Sequence, residues 1–164
     1  MQNTRKGQAY VFGDNINTDI IAPPQYMELP VEDGAKYTME SVDPSFASSV
    51  KPGGIFVAGN NLGSGSSRET APLSLRYLQI GALVAQSFAR IFYRNAINLG
   101  MPAVECPEAK KIKSGDLLEI DFVAGSIHNL TRNETYGCTN LPAHILQLIQ
   151  DGGLIGQLRK QRGK

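Results

Sequence analysis

Two runs of four apolar residues, Ile55-Phe56-Val57-Ala58 and Ala82-Leu83-Val84-Ala85, constrain this chain more than any other feature. Both are of strand length. The second carries no polar residue that would mark a wet face, the pattern expected where helices cover both sides of a sheet. From residue 55 to Cys106 the order reads strand, helix, strand, helix, strand. Ser87 offers an N-cap to a helix in which Phe88, Ile91, Phe92, Ala96 and Leu99 recur at helical spacing, and Gly100 ends it. Ala103-Val104-Glu105 follows as a short strand.

The flanking segments fit the same plan. Ala9-Tyr10-Val11-Phe12 reads as a buried strand that Gly13-Asp14-Asn15 breaks. Pro23-Pro24 stiffens the exit from the next loop, and Pro44 and Pro52-Gly53-Gly54 bracket a less regular stretch. Leu118, Ile120 and Phe122 alternate with Glu119 and Asp121 as on a half-exposed strand, and Ala124-Gly125-Ser126 suits a hairpin turn into Ile127 to Thr131. Asn140 can cap a helix whose stripe is Leu141, Ile145, Leu148 and Ile149, closed by Gly152-Gly153. The basic tail, residues 159–164, is expected to fray. With 164 residues, 41% of them hydrophobic, and no internal repeat, residues 1–164 read as one mixed α/β domain.

Charge and cysteine usage narrow the function. Sixteen basic against 15 acidic side chains give a net charge of +1, too small a field to gather nucleic acid or hold a membrane surface. No apolar run approaches the roughly 20 residues that cross a bilayer, and the opening residues lack a signal-peptide core. A soluble cytoplasmic protein is expected. Cys106 and Cys138 are far apart and lack the clustered spacing of a metal or iron–sulfur site, so a reaction needing a cluster would take it from another chain.

The chemistry concentrates in Gly59-Asn60-Asn61-Leu62-Gly63-Ser64-Gly65-Ser66-Ser67-Arg68-Glu69-Thr70. Gly63 and Gly65 let the backbone approach a ligand closely, and the helix that follows would turn unpaired N–H groups toward an anion. Arg68 adds a planar fork suited to a carboxylate, and Ser66 and Ser67 add two hydroxyls. The same Ser66-Ser67-Arg68-Glu69 also matches a capping box, and phosphate would suit the loop as well as carboxylate. Pattern alone therefore supports a ligand loop and not a particular reaction. A second polar loop, Asp14 to Asp19, crowds Asp14, Asn15, Asn17, Thr18 and Asp19 into six positions. His128 and His144 have no partner pattern for catalysis, and Arg90 and Arg94, four apart on one helix face, suit either the site or solvent.

Gly63-Ser64-Gly65-Ser66-Ser67-Arg68-Glu69, followed by Ser87-Phe88-Ala89-Arg90-Ile91-Phe92-Tyr93-Arg94-Asn95-Ala96-Ile97-Asn98-Leu99-Gly100, closely resembles the isopropylmalate isomerase small-subunit family, itself homologous to the swivelling last domain of aconitase. Gly13-Asp14-Asn15-Ile16-Asn17-Thr18-Asp19-Ile20-Ile21 is similar to that family's first loop. The resemblance covers roughly residues 8 to 106. It implies an α/β fold of the swivelling β/β/α kind and the small subunit of a heteromeric hydro-lyase, active only with a large subunit that carries a [4Fe–4S] cluster. The implied reaction is isomerisation of 2-isopropylmalate to 3-isopropylmalate by dehydration and rehydration, a step of leucine biosynthesis.

By the same resemblance Ser66 stands at the catalytic serine that moves the C–H proton, and Ser67 and Arg68 bind substrate carboxylate. Gly63 and Gly65 support the site, and Asp19 is a candidate for orienting Arg68, or for an Asx turn. Tyr26-Met27-Glu28-Leu29 falls where the family reads its substrate. An apolar residue at the Glu28 position accompanies isopropylmalate and an arginine accompanies homoaconitate-type acids, so Glu28 matches neither and disfavours a third carboxylate. Ser64 and Thr70 also depart from the family's usual cysteine and histidine. Alternatives are a sister hydro-lyase for dimethylmalate, citramalate or homoaconitate, and a stand-alone carboxylate- or phosphate-binding module.

Overall fold

The computed structural model describes residues 3–65 and 69–163. Among the described residues seven strands form one sheet in the order β4-β3-β2-β1-β5-β6-β7: β1 Thr4–Val11, β2 Ile55–Ala58, β3 Ala82–Ala85, β4 Ala103–Glu105, β5 Leu117–Asp121, β6 Ser126–Asn129 and β7 Glu134–Gly137. The α-helices are α1 Thr18–Ile21, α2 Val31–Gly34, α3 Phe46–Ser49, α4 Thr70–Tyr77, α5 Arg90–Asn98, α6 Ala143–Gln150 and α7 Leu154–Arg162. The two apolar runs are the parallel pair β2 and β3, with every residue of both buried. That is the parallel-sheet rule at work: helical connections cover both faces, so no alternation is needed.

Strand β1 does two jobs. Its first half, Thr4 to Gln8, pairs antiparallel with β5, and its second half, Ala9 to Val11, pairs parallel with β2. It thus joins a parallel half-sheet to an antiparallel meander and begins earlier than the Ala9 to Phe12 run suggests. Gly7 sits where the partners change over, and a side-chain carbon there would overlap the Gly53 carbonyl oxygen. An aromatic cluster seats α3 on the sheet: Phe46 meets Phe56 edge-on at 5.9 Å and Phe12 at 5.5 Å, while Phe12 stacks on Phe56 at 4.9 Å. Each such pair adds about 0.5–1.5 kcal/mol beyond the area it buries.

Several local expectations give way to tertiary partners. Helix α5 starts after Ala89, because Ser87 turns its Oγ to the Asn61 N–H at 2.8 Å and caps nothing on its own helix. Asn140 does not cap α6, whose N-cap is Pro142. Gly100 and the Gly152-Gly153 pair do end their helices, all three in the left-handed region. The segment beyond Leu158, expected to fray, continues α7 to Arg162. The strand expected over Ile127 to Thr131 is β6, which starts one residue earlier and ends two residues earlier, and β7 was not anticipated.

The antiparallel end carries its own polar anchor. Asp116, 3% exposed, accepts the Lys113 N–H, the Asn129 Nδ2–H and the Arg132 Nε–H, each at 2.9 Å. Burial alone would raise this carboxyl, but the bonds from Asn129, Lys113 and Arg132 outweigh it and hold it below the ordinary carboxylate range.

Candidate functional site

The loops that leave β1, β2 and β3 all leave from the carboxyl ends of parallel strands, the edge where open α/β sheets place ligands. Hydrogen bonding continues past the strands and zips the first two loops together. Phe12 N–H donates to Val57 O at 2.8 Å, Gly59 N–H to Gly13 O at 3.0 Å and Asn15 N–H to Asn60 O at 2.8 Å. Farther out, Gly63 N–H donates to Ile16 O at 2.7 Å and Thr18 N–H to Ser64 O at 2.9 Å. The third loop closes from the other side: Leu62 N–H donates to Ser87 O at 3.0 Å and Ala89 N–H to Leu62 O at 2.9 Å. Residues 59–65 are therefore held between the loops that follow β1 and β3.

Conformation explains the residue types. Asn15 (φ 57°) and Asn61 (φ 61°) both occupy the left-handed region, which asparagine tolerates, and Asn61 Nδ2 donates to Asn15 Oδ1 at 3.3 Å. Gly63 (φ 87°) lies against Phe92, whose ring a side-chain carbon would overlap, and Gly65 has φ 98°. Asp14 ties the loops at their roots, accepting the Asn60 N–H at 2.7 Å and the Lys110 ammonium at 3.0 Å. Those two partners, Asn60 first, hold its carboxyl below the usual range.

Ser66, Ser67 and Arg68, the residues expected to carry the chemistry, lie outside the described residues. Their frame is described on both sides. Helix α4 begins at Thr70 with Glu69 as its N-cap residue and no side-chain cap bond, so Glu69 does not stand at the third helical position that a capping box requires. Asp19 is exposed in the first turn of α1, and the Asx-type contact there belongs to Asn17, whose Oδ1 accepts the Ile20 N–H at 2.8 Å.

Sequence reasoning missed Thr18. It is 2% exposed and its hydroxyl has no hydrogen-bond partner among the described residues. The available signal was its place in the polar first loop, which could not show burial.

The segment Tyr26 to Leu29, expected from sequence to read the substrate, is built as a projecting turn. Pro24–Tyr26 forms a 3₁₀ turn, and Tyr26 stacks on Tyr37 at 3.7 Å while its hydroxyl donates to Glu40 at 3.2 Å. Burial and the Glu40 carboxylate push the Tyr26 hydroxyl above its ordinary pKa. Met27, Glu28 and Leu29 are exposed beyond it. Tyr26, Met27 and Leu29 share a small hollow with Thr70 and Ser74 at the start of α4, so Thr70 borders this segment.

Other candidates stand apart. His128 is exposed on β6 beside the Thr135 hydroxyl at 3.2 Å, and His144 is exposed on α6. Arg90 and Arg94 are exposed, and Arg90 lines a recess with Phe88, Tyr93, Glu105 and Thr139. A neighbouring recess of about 490 Å³ contains Glu105 and Glu108, carboxylates that repel an anionic ligand. Burial raises the Cys106 thiol and pushes Cys138 up to about 12. Among the described residues no group of three or more His, Cys, Asp or Glu is placed to hold a metal ion.

Comparison with known proteins agrees with this architecture. Residues 14–109 match the aconitase C-terminal domain. The chain is 49% identical over 157 residues to a 3-isopropylmalate dehydratase small subunit of Methanosarcina mazei, covering 94% of this chain and 96% of that one. It is 44% identical over 163 residues to an isopropylmalate/citramalate isomerase small subunit of Methanocaldococcus jannaschii, covering 98% and 97%. The crystal structure of a 3-isopropylmalate dehydratase from that organism superposes with a TM-score of 0.91 at 39% identity, over 97% of this chain and 95% of that one. With the loops of β1 and β2 zipped as described, and with likeness of this extent, the chain belongs to the 3-isopropylmalate dehydratase small-subunit family, built on the aconitase C-terminal domain.

Proposed function

We propose that this chain is the small subunit of a hydro-lyase that interconverts 2-isopropylmalate and 3-isopropylmalate in leucine biosynthesis, and that it works only with a large subunit. The observation that carries the reading is the zipping of the first loop onto residues 59–65, which presents the root of the Ser66 loop at the sheet's carboxyl edge in a chain of this family. The reading assigns proton removal and return to Ser66, and carboxylate binding to Ser67 and Arg68, with Asp19 and the glycines 63 and 65 supporting them. Serine is a weak base, so the role requires N–H groups and a cation nearby, which a glycine-rich loop ahead of a helix and Arg68 would supply.

A [4Fe–4S] cluster on the large subunit would supply a Lewis-acidic iron for the substrate hydroxyl. Support for placing it there is that this chain has only two cysteines, Cys106 and Cys138, which lack the clustered spacing of an iron–sulfur site. One domain spanning residues 1–164 and a cytoplasmic location, in keeping with unpaired thiols and with no described helix long and apolar enough to cross a membrane, complete the reading. The ligand class is a small hydroxy-dicarboxylate, with neither nucleic acid nor membrane as partner.

A second reading, citramalate as a further substrate, is favoured by the double name of the Methanocaldococcus jannaschii relative. The test is reconstitution with a large subunit under anaerobic conditions. Conversion of 2-isopropylmalate by the pair and by neither chain alone is the expected result. Turnover by this chain alone, or none by the pair, overturns the reading, and competing 2-isopropylmalate against citramalate decides the substrate by kcat/KM.

A further inference from the structure

We propose that the hollow at the carboxyl ends of β1 and β2 is a binding site for a small carboxylate with a branched apolar tail, held through Lys113 and Ser114. The inference does not depend on the proposed reaction, since the site is built by this chain alone. The hollow has a volume of about 400 Å³, within the range of small-molecule sites. Val11, Phe12 and Gly13 border it on one side, and Val57, Ala58 and Gly59 on the other. Val11 and Val57 are register partners in the parallel pair, so their side chains share one face of the sheet. The segment that leads into β5 closes the third side. It brings Ala109 and Ile112, each 1% exposed, together with Lys110, Lys113 and Ser114.

The polar groups of this hollow have capacity for one anionic group. Lys110 is already paired, with its ammonium 3.0 Å from the Asp14 carboxylate. Lys113 forms no ion pair among the described residues, and only its main-chain N–H is engaged, by Asp116 Oδ2 at 2.9 Å. Ser114 is fixed as a donor: its Oγ accepts the Val11 N–H at 2.8 Å, and its own O–H has no acceptor among the described residues. Among the described residues that line the hollow none is acidic, in contrast to the recess that holds Glu105 and Glu108. One uncompensated ammonium, next in sequence to one free O–H, matches the two oxygens of a single carboxylate. The apolar wall of Val11, Val57, Ala109 and Ile112 suits an aliphatic body. Inorganic phosphate would use the lysine and leave that wall unused.

The test is titration of the full chain with 4-methylpentanoate, followed by backbone amide NMR shifts and by calorimetry. Saturable shifts centred on Gly13, Gly59 and residues 109–114 are expected. Affinity should fall about tenfold in Lys113→Gln and stay near wild type in Lys113→Arg. Lys113 is exposed, so both variants should keep the wild-type Tm. The neutral 4-methylpentanamide keeps the shape without the charge and should bind about tenfold more weakly, as should acetate and inorganic phosphate, which lack the aliphatic part. Absence of saturable binding at millimolar 4-methylpentanoate overturns the proposal. So do binding that Lys113→Gln leaves unchanged, an equal loss in Lys113→Arg and Lys113→Gln, acetate or phosphate bound as tightly as 4-methylpentanoate, and shifts centred elsewhere on the chain.

Discussion

Asp14 and Asn60 stand 46 residues apart in the chain, and the Asn60 N–H donates to the Asp14 carboxylate at 2.7 Å. The same carboxylate holds Lys110 at 3.0 Å, so one side chain joins the loop after β1, the loop after β2 and the turn at Ala109–Lys111. Asp14→Ala is expected to speed hydrogen exchange at the Asn60 amide and lower kcat several-fold in the assembled enzyme, with Asp14→Asn in between because it keeps an acceptor oxygen. Because the folded carboxyl is depressed, its contribution is present above the ordinary carboxylate range and disappears as pH falls through the lowered value. Unchanged exchange at Asn60 in the Ala variant would mean that the main-chain rungs alone hold the loop.

Gly63 is the position least able to accept a side chain. Its φ of 87° is strained for alanine, and the added carbon would overlap the buried Phe92 ring. Gly63→Ala is expected to cost about 2–4 kcal/mol, combining left-handed strain with overpacking. Denaturant titration measures it, and a loss below about 1 kcal/mol would show that Phe92 gives way freely.

At the other end of the sheet, Asp116 predicts acid sensitivity. Its carboxyl is held low in the fold, so the stability it lends is complete above the ordinary carboxylate range and is lost as pH drops through the depressed value. Asp116→Ala leaves Asn129 and Arg132 without their shared acceptor and is expected to cost about 3 kcal/mol. Turnover per folded enzyme should be unchanged. Comparing Tm across pH 2 to 7 for both proteins checks the sign, since the difference between them should shrink toward the acid end.

Ser66 separates chemistry from capping. Were it only a cap, Ser66→Ala would cost about 0.5–2 kcal/mol, leave turnover nearly intact and be rescued by Ser66→Asp. As the proton carrier it should instead lose about two or more orders of magnitude in kcat with folding unchanged. Exchange of the substrate C–H proton with solvent, followed with partner and cluster intact, is the deciding measurement. Near-normal exchange in the Ala variant assigns the base elsewhere.

Glu28 projects from a turn anchored by the Tyr26–Tyr37 stack at 3.7 Å, so its substitution should alter selectivity without disturbing the anchor. Glu28→Val is expected to raise kcat/KM for apolar-substituted malates and Glu28→Arg to raise it for tricarboxylic acids. Ratios constant across both variants would place Glu28 outside the pocket.

Much of the parallel half-sheet was legible in sequence because its signals are local. Ile55 to Ala58 and Ala82 to Ala85 are apolar throughout and became fully buried strands, and Gly100 stopped its helix in the left-handed region that only glycine enters without strain. Strand β7 was not legible: Tyr136 is its one buried residue, and only pairing with β6 makes Glu134 to Gly137 a strand.

Ser87 and Asn140 read as helix caps for the same reason. Capping residues are recognised by local spacing, yet the Ser87 hydroxyl is claimed by Asn61, 26 residues away. In the candidate site, residue order alone determined the glycine-rich loop, its serines and arginine, and the resemblance that identified the family. The tertiary fold alone decided that Ile16 and Thr18 would meet Gly63 and Ser64, that Asp14 would bind Asn60, and that Thr18 would be buried. Those are contacts between loops brought together by the parallel pairing of β1 and β2, and hydrogen bonds across such a crossover leave no periodicity in the sequence that makes them.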